Sequence, residues 1–150
     1  MRSISINLYK YDELPTEIAK DVAREWWRNL ECQDPSFLND HNKSVKAALK
    51  FLGSYSYGRS DFDKLCSTAL EMKYKGECLW TGSIDDLTAI DCIVKACEKV
   101  DDIDMIKYSF KCYMAEEYSK QLDESLKVEN VEEVIRINDY EFTADGKIYR

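Results

Sequence analysis

The chain carries one histidine, His41, so any imidazole acid–base step or catalytic triad has to run through it. Its setting, Asn39-Asp40-His41-Asn42-Lys43, is a polar stretch at or near a helix start, which reads as a solvent-exposed side chain. Six cysteines stand at positions 32, 66, 78, 92, 97 and 112. A thiol–imidazole dyad between one of them and His41 stays open, since its members need only meet in space. Zinc is poorly served. There is no Cys-x-x-Cys pair, and Cys92 and Cys97 are turned about 500° apart at 100° per residue, off any common face. The five glycines form neither a Walker-type nor a dinucleotide-type phosphate cradle. Carboxylate pairs that could serve a glycosidase are plentiful, and nothing singles one out.

The carboxylates are instead notable for where they fall. Residues 85–141 hold 16 acidic and 7 basic side chains, a net of −9, so the rest of the chain together is +1 and the total −8. The acids come in clusters: Asp85-Asp86, Asp91, Asp101-Asp102-Asp104, Glu116-Glu117, Asp123-Glu124 and Glu132-Glu133. They read either as solvated helix faces and caps, or as one negative surface offered to a basic partner such as a nucleic-acid-binding groove. A calcium loop is poorly matched, because Asp101-Asp102-Ile103-Asp104 lacks the Asp-x-Asp-x-Asp-Gly pattern.

Two aromatic groups complete the candidates. Trp26 and Trp27 point about 100° apart on a helix, so one enters the core and the other lies at its edge or anchors a partner. Tyr55, Tyr57 and Phe62 lie in the Ser- and Gly-containing stretch 54–63, which resembles the rigid-ring, adaptable-polar chemistry of a binding loop and equally suits packing on a sheet.

The elements that must position these residues are read from periodicity. Residues 3–9 alternate, with Ile4, Ile6 and Leu8 on one face, and predict a half-buried strand. Pro15 suits a first helical position, and Ile18, Val22, Trp26 and Leu30 recur every fourth residue with Ala19 and Ala23 beside them, predicting a helix over about 15–30. Asp34-Pro35 opens a second helix with Val45, Ala48, Leu49 and Leu52 inward and Gly53 as C-cap. Strands near 68–74 and 77–82 pair across Lys75-Gly76. Ser83-Ile84-Asp85-Asp86 has the spacing of a capping box for a third helix carrying Leu87, Ile90, Val94 and Cys97. Residues 102–126 fit either period, and length and composition favour a helix. Val131, Val134 and Ile135 mark a short helix, and 140–143 and 147–149 flank Ala144-Asp145-Gly146 as a closing hairpin. These elements predict one α+β domain over residues 1–150: a small antiparallel sheet (N-terminal strand, central hairpin, C-terminal hairpin) packed against four to five helices.

Composition agrees with one folded domain. A hydrophobic fraction of 45% excludes disorder, and 150 residues can build a core without metals or disulfides. Neither a secretory leader nor a membrane-length apolar run is expected, so the cysteines are expected to be reduced thiols in a cytoplasmic protein. The acidic balance speaks against direct nucleic-acid binding, and no cofactor is expected.

Three stretches carry a resemblance. Tyr11-Asp12-Glu13-Leu14 followed by Ala19, Ala23, Arg24 and Trp26, the segment Gly76-Glu77-Cys78-Leu79-Trp80-Thr81-Gly82-Ser83, and the tail Asn138-Asp139-Tyr140-Glu141-Phe142-Thr143-Ala144-Asp145-Gly146 together resemble small uncharacterised phage and prophage proteins. The chain departs from them in lacking a Ser-Gln-Gly-Asp before the central segment. The resemblance implies a mobile-element protein in a bacterial cytoplasm, and small acidic phage proteins of that kind are often anti-CRISPR or anti-restriction inhibitors.

The expectation is therefore a non-catalytic phage or prophage protein that blocks a bacterial defence complex. Its partner would be a bacterial protein or nucleoprotein complex with a basic surface. The expected contacts are Asp85, Asp86, Asp91, Asp101, Asp102, Asp104, Glu116 and Glu117, with Tyr55, Tyr57 and Trp27. A homodimer stays open, and no membrane partner is expected. The alternatives are an antitoxin-like or structural protein-binding module using Trp27 and the 54–62 loop, or a small thiol- or carboxylate-dependent hydrolase through His41 or a cysteine.

Overall fold

A computed structural model of the chain describes residues 5–55 and 59–149. A 3-10 turn at Tyr11–Glu13 precedes α1 (Glu17–Gln33), α2 (Leu38–Gly53), α3 (Arg59–Lys75), α4 (Asp85–Lys99), α5 (Ile103–Ser125) and α6 (Val128–Ile137). The α+β expectation is overturned. Among the described residues there is no strand, only isolated antiparallel bridges from Phe142 to Tyr9 and to Ile148. The N-terminal strand reduces to the Tyr9 bridge, with Ile4 outside the described residues. The closing hairpin reduces to a tight turn in which the Thr143 and Tyr149 amides donate to Lys147 and Glu141.

The central hairpin is replaced by α3. Its buried row, Phe62, Leu65, Ala69 and Met72, repeats at helical spacing, while Leu70 and Tyr74 are exposed. Gly76 ends this helix with φ +63°, its amide bonded to the Met72 carbonyl at 3.2 Å. The segment 102–126, ambiguous by period, is α5, with Ile103, Ile106, Phe110 and Met114 buried along it.

The chain divides into two compact units, residues 1–36 with 121–150, and residues 37–120. In the first, Tyr11, Leu14, Ala19, Ala23, Trp27, Val131, Ile135 and Phe142 form the core. Here α1 is turned by one residue from the expected face. Trp27 is 6% exposed and Ala23 buried, while Ile18 is 77% and Leu30 47% exposed. The alanine row wins because it permits close approach: a Cβ on Gly146, which has φ +83°, would lie 2.0 Å from the Ala19 carbonyl oxygen. Thr16, not Pro15, opens α1, its side chain accepting from the Ala19 amide at 3.1 Å.

In the second unit α4 is the central rod. Ala89, Ile90, Cys92, Ile93, Val94 and Ala96 are all buried, which takes apolar neighbours on nearly every side. α2 supplies Ala48 and Leu52, α3 supplies Phe62, Leu65 and Ala69, and α5 contributes its buried row to the same cluster. The second helix starts at Leu38 rather than at Pro35, and Gly53 is its last residue, with Ser54 as C-cap.

Candidate functional site

The expected acidic surface separates into buried and exposed parts. Asp86, at the start of α4, is fully buried. One oxygen accepts the backbone amides of Trp80 (3.0 Å), Thr81 (2.7 Å) and Gly82 (3.2 Å). The other accepts the hydroxyls of Ser44 (2.7 Å) and Thr81 (2.8 Å). Burial alone would raise its carboxyl above the ordinary range, and these hydrogen bonds outweigh that and hold it below. The residue thus latches the 76–84 loop to α2 rather than reaching a partner. The expected capping box is recast in the same way: Ser83 accepts the Asp85 amide at 3.2 Å, while Asp86 reaches back past it to the loop. Asp85 is also buried, so neither carboxylate of the pair contributes to a docking surface.

Asp91 and Glu117 are engaged. Lys73 pairs with Asp91 at 3.2 Å and Lys120 donates to Glu117 at 3.3 Å. Both acids line a polar cleft of about 340 Å³ between α3, α4 and α5, where the Lys95 ammonium lies 4.7 Å from the Tyr113 ring. Cys92 lines the same cleft, and burial pushes its thiol up to about 12, which makes it a poor nucleophile.

Asp101, Asp102 and Asp104 are different. All three are exposed at the turn into α5, and none has an ion-pair partner among the described residues. Asp102 accepts the Asp104 amide at 3.2 Å, and both acids favour the positive end of the helix. Beside them Met105 is 47% and Tyr108 65% exposed. Glu116 is exposed too, but helical geometry sets it about 18 Å along and about 120° around from Asp104, whereas Lys111 lies within about 20°. The acids of α5 therefore do not form one face. Asp101, Asp102 and Asp104 form a local cluster at its first turn, with exposed Met105 and Tyr108 following them.

The aromatic candidates are mostly structural. Trp27 lies in the core, because α1 buries the row that contains it, and so cannot anchor a partner. Tyr55 is half-buried and meets Phe51 edge-on at 5.4 Å. Phe62 is buried, and Tyr57 lies outside the described residues. His41, expected at the surface, is 6% exposed. Its ring meets Tyr118 at 5.3 Å, and burial lowers its pKa against an opposing pull from the Asp85 carboxylate. Cys32, Cys78 and Cys112 are exposed free thiols. Among the described residues no group of His, Cys, Asp and Glu is arranged to hold a metal, and no helix is long and apolar enough to cross a membrane.

Two exposed features escaped the sequence reading. The four-residue recurrence on α1 suggests burial for Ile18, Val22 and Leu30, which the fold leaves exposed. Met105 and Tyr108 were hidden in the ambiguous segment. Compared with protein-family models, with curated proteins and with solved structures, the chain matches none. The site rests on the chain's own geometry.

Proposed function

We propose that the chain is a non-catalytic protein of phage or prophage origin that binds and inhibits a bacterial defence complex, docking its α4–α5 turn on a basic surface. The observation that carries the binding mode is the exposed cluster Asp101, Asp102 and Asp104, without ion-pair partners among the described residues and with Met105 and Tyr108 exposed beside it. Charges of one sign at the turn, next to exposed apolar side chains, combine steering with an anchor that can be desolvated. The defence target follows from the resemblance in sequence and from the sign of the charge. The test is phage plating on cells carrying CRISPR or restriction immunity. Expression of the chain should restore plaques, and the combined variant D101K/D102K/D104K should not. Equal plating with and without the chain in every immune strain argues against the proposal.

A second reading has its own observation. The adjacent outward side chains Ile18 and Val22 on α1 are an exposed apolar pair of the kind that a partner covers, and they take the place of Trp27 in the antitoxin-like reading. Binding through them would be insensitive to salt and lost in Ile18→Glu.

A further inference from the structure

We propose that the groove between α2 and the 76–84 loop binds an acidic peptide segment of a partner protein, one that carries a large apolar side chain among its carboxylates. Lys43, Lys46 and Lys50 follow one another along α2 by about 4.5 and 6 Å and within an arc of about 60°. All three are exposed, and none has an ion-pair partner among the described residues. They border one open concavity of about 670 Å³. Lys50 also opens onto a second, of about 480 Å³, walled by Phe51, Leu79 and Trp80.

The two halves of the groove recognise different things. The ammonium groups reverse the sign of a chain whose formal charge is −8, and they stand over their own methylene stems. The second half is aromatic: the Phe51 and Trp80 rings lie 5.6 Å apart and inclined at 39°, with exposed Leu79 at their edge. Asp86 makes this wall rigid, since it holds the amides of Trp80, Thr81 and Gly82. Little ordering is left to be done on binding.

Charge distribution decides between an acidic peptide and a nucleic acid. The lysines span only about 10 Å of helix, close to one Debye length at physiological salt. Without them the chain's charge is −11 (−8 less three), so a polyanion continuing past the groove meets a repelling surface. A short acidic segment ends within the lysines and can turn its apolar side chain onto Leu79 and Trp80. The groove also offers ammonium point charges rather than the guanidinium forks suited to phosphate.

Fluorescence anisotropy with the intact chain tests this at low salt. The probes are a fluorescein-labelled peptide of three glutamates followed by one phenylalanine, its alanine counterpart, and a labelled decathymidylate. The phenylalanine peptide should bind about tenfold or more tightly than the alanine peptide. Binding should be lost in K43E/K46E/K50E and weakened about tenfold in Leu79→Ala, a surface change, with the thermal midpoints of both variants unchanged. Failure of the peptide to bind, equal binding by the charge-reversed variant or by the alanine peptide, or tighter binding of the oligonucleotide would each overturn the proposal.

Discussion

Asp86 shows how a carboxylate can be charged, buried and structural at once. Its two oxygens satisfy three loop amides and two hydroxyls, so the side chain ties the 76–84 loop to α2. Asp86→Ala leaves those donors buried without an acceptor and should cost about 3 kcal/mol, measured by urea unfolding. Asp86→Asn keeps the shape and should recover only part of that loss. His41 sets a separate dependence on pH. Its pKa in the folded chain lies below the ordinary 6.5, so the unfolded form takes up the proton first as pH falls. The stability it contributes is complete above about pH 6.5 and drains away below that. Unfolding midpoints measured from pH 7.5 to 5 should therefore fall, and His41→Phe should flatten that part of the curve. The carboxyls held low, Asp12, Asp86 and Asp145, act in a lower window, below their ordinary 3.8.

At the scale of the element, α1 shows how one residue of rotation exchanges core for surface. Rows spaced by four drift about 40° per step, so neither Ile18-Val22-Trp26-Leu30 nor Ala19-Ala23-Trp27-Glu31 is a straight stripe. Hydropathy favours the first. Packing selects the second, because its alanines admit Gly146 and the C-terminal turn. Trp27→Ala should cost about 3–5 kcal/mol in a thermal or urea melt, whereas Ile18→Ser should stay within about 0.5 kcal/mol. The reverse order would restore the face read from the sequence. The helical elements α1, α2, α4 and α6 were legible because their apolar residues recur at helical spacing, although the buried row of α1 and the end signals of α1, α2 and α4 fall elsewhere. α3 was not, since its last residues alternate like a strand and its helical row begins earlier, at Phe62 in a stretch read as a loop. The sheet was misread for the opposite reason: Ile6, Leu8 and the 140–149 segment have strand-like patterns, but they meet through single bridges.

For the whole molecule, the excess of acid over residues 85–141 was legible as a number but not as a surface. Part of it lies in the second unit and part, from Asp123 onward, in the first. Within the second unit Asp85 and Asp86 are buried, and Asp91 and Glu117 meet lysines. Glu98 and Glu116 stand exposed and apart on α4 and α5, so the acids that gather at one place are those of the turn, Asp101, Asp102 and Asp104, with a separate basic groove on α2. No periodicity could separate these roles, since they depend on which carboxylate faces a loop amide, a lysine or water. The central claim, that the exposed acids of the α4–α5 turn bind a basic partner, is tested most directly by affinity capture from bacterial lysate carrying defence systems. Wild type and D101K/D102K/D104K would be compared at low and at high salt. The account predicts a partner retained by wild type at low salt, released as salt rises, and missed by the variant. Capture of the same partner by the variant, or retention through the high-salt wash, would contradict it.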